Sequence, residues 1–173
     1  MRDVGRVLER SLTDETVFGR GGHLKVFVSS QMRDDVLAAE RRVAIRAIDS
    51  QAYYRAWAWE RDAAAGPYSS EKVCVGHAAS SDALVLLLAD DLTNVTAKEY
   101  RAAKKASVPC FVLLKDGATR TEVAEKFVIR ERKSAVTANF ANLAEVRTQI
   151  REALRNHVLW LARRSIANAR AGR

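Results

Sequence analysis

Unbroken apolar runs alternate with helical stripes along this chain, and the alternation predicts its fold. Residues 83–89 (ALVLLLA) and 110–114 (CFVLL) are continuously apolar, and residues 24–29 (LKVFVS) are nearly so. Runs of this kind belong to parallel strands buried on both faces. Residues 52–59 instead alternate, with Tyr53, Arg55, Trp57 and Trp59 on one side and Tyr54, Ala56 and Ala58 on the other. That is a strand of period two. Residues 36–49 place Val36, Ala39, Val43 and Ala47 on one side and charges opposite, as an amphipathic helix does. Further helices are predicted at 70–80, capped by Ser69 or Ser70, and at 97–106 and 121–133, with a short fifth strand at 135–140. From residue 141 a long helix carries a stripe at Leu143, Val146, Ile150, Leu154, Val158 and Leu161. Strand–helix alternation predicts an α/β, doubly wound, flavodoxin-like parallel sheet of order 2-1-3-4-5. The chain divides into an N-terminal extension (1–22, with a short amphipathic helix over 1–18), an α/β domain (23–140) and a basic C-terminal helix (141–173) packed on that domain.

Composition narrows the class. With 173 residues, 48% apolar and 29% charged, the chain suits one soluble domain with a sizeable core. No apolar run approaches membrane-spanning length, and the first residues lack an apolar signal core, so a cytoplasmic protein without a membrane partner is expected. Cys74 and Cys110 lie in separate predicted elements and read as buried thiols rather than a disulfide. They and the scattered His23, His77 and His157 give no metal-ligand spacing, so no metal and no cofactor is expected. The net charge of +8 comes from 21 Arg and 8 Lys. Seven of the Arg fall in residues 141–173, where Arg147, Arg151 and Arg155 recur every fourth residue and Arg163 and Arg164 follow. This ridge fits a phosphate or partner surface, but a solvated face with Arg stems lying over apolar neighbours explains it more simply, and nucleic acid is disfavoured.

Ligands of such sheets bind at the carboxyl ends of the strands. Glu99 falls there, read as lying in the first turn of the helix after the third strand. Two roles fit it. Thr96-x-x-Glu99 is a capping box, in which Glu99 returns a bond to the Thr96 amide. Alternatively its carboxylate performs chemistry at the sheet edge.

Several motifs then fall together. VFVSS at residues 26–30, Met-Arg-Asp at 32–34, Glu40-Arg41 in the next helix, Trp59-Glu60, Ser81-Asp82 and TAKEY at 96–100 ahead of a Pro-led strand form one pattern. Over residues 24–117 it resembles a domain family of unknown function within the Toll/interleukin-1-receptor (TIR)-like and nucleoside 2-deoxyribosyltransferase-like group. The resemblance implies a TIR-like fold and an enzyme, an N-glycosidase that cleaves the base–ribose bond of NAD or of a nucleoside or nucleotide. It makes Glu99 the catalytic carboxylate, which stabilises or attacks an oxocarbenium-like centre as in retaining glycosidases. The transferases of the group carry a second carboxylate where Cys74 stands here, with Glu71 one turn earlier, so hydrolysis is expected over transfer. The resemblance equally implies an alternative, a non-catalytic module that senses nucleotides or self-associates into a homo-oligomer.

The substrate-binding candidates are Ser29, Ser30, Arg33, Asp34, Trp59, Glu60 and Asp91. Ser29, Ser30 and the loop with Arg33 and Asp34 can hold ribose or phosphate, or simply turn the chain and cap a helix. Trp59 can stack on a base, and Glu60 can bond ribose hydroxyls, unless Trp57 and Trp59 are both core. Asp90 and Asp91 leave the third strand at the same edge, whereas Asp82 enters it at the opposite one. The expected partner is a nucleotide or nucleoside.

Overall fold

The computed structural model describes residues 22–32 and 36–171, so the expected helix at 1–18 lies outside the described residues. At its centre is β3 (Ala83–Leu88), all six residues of which are buried. Alternate residues feed two cores. Ala83, Val85 and Leu87 pack into one, and Leu84, Leu86 and Leu88 into the other. That is why the run is continuously apolar: neither face meets water.

Strands β1 (Leu24–Ser30), β2 (Tyr54–Trp57), β4 (Cys110–Lys115) and β5 (Thr137–Phe140) complete a five-stranded sheet of order β2-β1-β3-β4-β5. Every pairing is parallel, with Val28 opposite Val85 and Leu86 opposite Val112. This is the flavodoxin-like arrangement that the alternation predicts. Helices α1 (Ala38–Asp49) and α6 (Leu143–Ala171) cover one face through Val43, Ala47, Ile48, Val146, Ile150 and Leu154. Helices α3 (Ser70–Ala79), α4 (Asn94–Lys105) and α5 (Glu122–Arg132) cover the other through Ala78, Tyr100, Ala103, Phe127 and Val128. Among the described residues no helix is long and apolar enough to cross a membrane.

The second strand is shorter than its alternation predicts. It ends at Trp57, and Trp59 opens a helical turn, α2 (Trp59–Asp62). Asp62 Oδ2 accepts the Ala58 amide at 2.8 Å, and the Arg61 guanidinium folds back to the Ala56 carbonyl and to Asp49. These bonds draw the chain off the sheet two residues early. At the end of α4 the Ser107 and Val108 amides donate to the Lys104 and Ala103 carbonyls, with Ser107 at φ 60°. This Schellman closure stops the helix and delivers Pro109 to the start of β4.

Helix α6 is two things in one. Its first half is anchored, with Val146, Ile150 and Leu154 fully buried and Leu154 offering its carbonyl to the Tyr54 hydroxyl at 3.2 Å. Residues 162–171 are all exposed and extend about 15 Å further. Leu154→Ala is expected to cost about 2–5 kcal/mol in a urea melt. Ile166→Ala, on the free half, should stay within about 0.5 kcal/mol.

Candidate active site

Strand β1 delivers Ser29 and Ser30 to the carboxyl edge of the sheet, next to the end of β3. Helix α4 starts three residues earlier than its sequence pattern predicts. Thr93 is the N-cap, its Oγ1 accepting the Thr96 amide at 3.3 Å. Glu99 therefore lies in the second turn, and the expected capping box at Thr96 does not form. Instead the Glu99 side chain turns inward, where Ser29 Oγ donates to its Oε2 at 2.5 Å. Only 6% of Glu99 is exposed.

This burial raises the Glu99 carboxyl above the usual glutamate value. The Ser29 hydrogen bond, the nearby Arg41 charge and a hydrogen bond from Cys74 oppose the rise without cancelling it. Cys74 is pushed up to about 12, by burial first and then by the Glu99 charge and hydrogen bond. It is thus a neutral thiol beside the carboxylate, at the position where the resemblance leads one to expect a second acid. Salt bridges to Glu99 are absent among the described residues.

Arg41, counted in the motif pattern but given no role there, organises the other half of the site. Its guanidinium grips Glu60 with both ends, Nε to Oε1 at 3.0 Å and Nη2 to Oε2 at 2.6 Å. Nη1 donates to Ser30 Oγ at 2.8 Å. One signal was available: Arg41, Ala44 and Ile48 share the buried side of α1 at helical spacing. An arginine on an apolar stripe needs a partner. Burial raises the Glu60 carboxyl, but the Arg41 hydrogen bonds, its own backbone amide and the Arg41 charge outweigh that and hold it below the usual range.

A cavity of about 290 Å³ opens beside Glu99, walled by Ser30, Arg41, Trp59, Cys74 and Thr96. A second, of about 250 Å³, adjoins it across Arg41 and Met32 and is lined by Gln31, Arg42 and Glu60. Ser29, Ser30, Trp59, Glu60 and Glu99 thus gather at one edge. The two tryptophans separate: Trp57 is core, stacked on Phe27 at 5.1 Å and on His77 at 4.2 Å, whereas Trp59 faces the cavity. Asp91 lines neither cavity and accepts the Thr121 hydroxyl at 2.9 Å, tying the β3–α4 loop to the start of α5. Asp90 accepts Gln31 Nε2 at 2.8 Å. Asp82 sits at the amino edge and accepts the Lys25 amide at 2.7 Å. Arg33 and Asp34 lie outside the described residues. Among the described residues no group of three His, Cys, Asp or Glu side chains is placed to hold a metal ion.

Comparison with known proteins gives a family and little more. No curated protein matches the chain significantly. Among solved structures the chain is similar to the metal-soaked Flv1 flavodiiron core from Synechocystis sp. PCC6803, with a TM-score of 0.49 and 10% identity. That likeness covers 90% of this chain but only 41% of the other, and it carries no functional argument. Residues 25–155 match the family model described as a domain of unknown function, DUF4062. With most of its length matched, the chain belongs to the DUF4062 family.

Proposed function

We propose that this chain is an N-glycosidase of the TIR-like and nucleoside 2-deoxyribosyltransferase-like group, hydrolysing the base–ribose bond of NAD or a nucleoside or nucleotide. The observation that carries the reading is Glu99: a carboxylate buried to 6% exposure, facing a cavity at the carboxyl edge, held by hydroxyl and thiol donors rather than by a cation. An ionised carboxylate there suits the developing positive charge at an anomeric carbon. Glu99 shares that charge or bonds to the carbon as the base departs with the bonding electron pair. Water then takes the carbon, and its proton leaves to solvent.

The choice of leaving group follows from what lines the cavity. A neutral base must be protonated as it departs, but Cys74, beside Glu99 in the cavity, is too weak an acid. A base that is already cationic needs no acid, which favours nicotinamide release from NAD. Trp59 supplies a flat wall for such a ring. Incubation of the full chain with NAD and with a panel of nucleosides, followed by chromatography of free base, tests this. Nicotinamide is the expected product, and no free base from any of them overturns the reading. Ser29→Ala removes a bond that favours the ionised carboxylate, so the acid limb of the activity profile should move to higher pH while the fold persists. The same bonds support a second reading, in which Ser29 and Cys74 simply satisfy Glu99 and the domain acts as a TIR-like interaction or nucleotide-sensing module without turnover.

A further inference from the structure

The far side of α4 carries a second feature, which uses none of the residues around Glu99. Helices α4 and α5 leave a groove of about 480 Å³ between them. Its floor is apolar: Leu92, Tyr100 and Phe127 are buried beneath it, and Val123 stands 61% exposed beside it. Its rim is cationic, formed by Arg101 from α4 and Lys126 and Arg130 from α5, and among the described residues no carboxylate lines it.

The rim cations are only lightly engaged. Arg101 uses Nε on the Ala97 carbonyl and Arg130 uses Nε on Glu131, and neither guanidinium bonds through its Nη ends among the described residues. Lys126 pairs with Glu122 one turn away, but both side chains are about three-quarters or more exposed, a pair that solvent screens and a better partner displaces. Glu131 is buried, accepts the Tyr100 hydroxyl at 2.7 Å and pairs with Arg130 Nε at 3.1 Å, so it balances part of the Arg130 charge and leaves the Nη ends to a partner.

We propose that this groove docks an acidic amphipathic helix of a partner protein. Such a helix lays an apolar stripe along the exposed Val123, above the buried Tyr100 and Phe127, while carboxylates flanking the stripe meet Arg101, Lys126 and Arg130. The arrangement is complementary in both respects: apolar below, positive at the edges. A nucleic-acid backbone would use the rim but has nothing to fill the floor. A second copy of this chain, with its excess of arginine, opposes the rim charge.

The test uses the full chain and a synthetic fluorescein-labelled helical peptide with leucines at i, i+3 and i+7 flanked by glutamates, titrated by fluorescence anisotropy at low and high salt. Saturable binding is expected, weakened at high salt and weakened about tenfold or more by Val123→Asp or by Arg101→Glu with Lys126→Glu. These side chains are exposed, so circular-dichroism melts should match wild type. A peptide with lysine in place of each glutamate should prefer the charge-reversed variant. The proposal is overturned if neither peptide binds, if both bind wild type alike, or if the variants bind as wild type does. Sedimentation showing a dimer that Val123→Asp dissolves would overturn it in favour of a second copy, and an oligonucleotide that binds irrespective of Val123→Asp would overturn it in favour of nucleic acid.

Discussion

Glu99→Gln should remove base release by about two to three orders of magnitude while leaving a cooperative melt. Glutamine keeps the size of the side chain and an oxygen to accept the Ser29 hydroxyl, but not the charge that an oxocarbenium-like centre requires. The stability side of this variant runs in an instructive direction. Because the folded-state value of Glu99 is raised, its contribution to stability is fully present below the ordinary 4.5 and is lost as pH rises through the folded value. The glutamine variant has no such loss, so relative to wild type it should gain stability from acid to neutral pH. The wild-type rate should do the reverse, rising as Glu99 ionises, with an acid limb above 4.5. A residue that serves only the fold would give the stability signature without the rate signature. Paired melts and base-release assays across pH distinguish the two roles, and a Gln variant as active as wild type would remove Glu99 from the chemistry.

Glu60→Gln is expected to be the most damaging change to stability near the site, at about 2–3 kcal/mol. The Arg41 side chain is 6% exposed, and Glu60, at 37%, is its counter-ion. Removing the carboxylate strands a guanidinium in the interior, and the partial exposure of Glu60 keeps the cost below that of a fully buried pair. Glu60 is held below its ordinary 4.5, so its contribution is present above that value and fades as pH falls through the lower folded one. Urea melts of wild type and variant should therefore differ at neutral pH and converge in strong acid. Arg41→Met added to Glu60→Gln should recover part of the loss, because the stranded charge is gone. Equal melts at neutral pH would mean the pair contributes nothing.

Much of this was legible in the chain itself, and the omissions have physical reasons. The run at 83–88 reads as a strand buried on both sides because it is short, is bounded by polar turns and leaves no face for water. The position of Glu99 after that strand places it at the ligand-binding edge. Its role in the helix was misplaced because Thr93 and Thr96 are both acceptable caps, and the Glu three residues after Thr96 imitates a capping box. What decides between them is Ser29, 70 residues away, which offers Glu99 a better partner than its own backbone. The Arg41–Glu60 pair is hidden for the same reason: it joins α1 to α2 across the intervening β2, and no local pattern records it. The early end of β2 depends on Asp62 and Arg61 reaching backward, which alternation alone does not register.

Consecutive residues of α4 reach in different directions: Glu99 to Ser29 on β1, and Tyr100 to Glu131 on α5. Neighbours on a helix point about 100° apart, so these two bonds act as stays on a mast. Rolling the helix either way slackens one stay and strains the other. The carboxylate thus has its bearing set from both flanks at once, and a load leaned against the Tyr100 flank is carried by the same mast that aims Glu99.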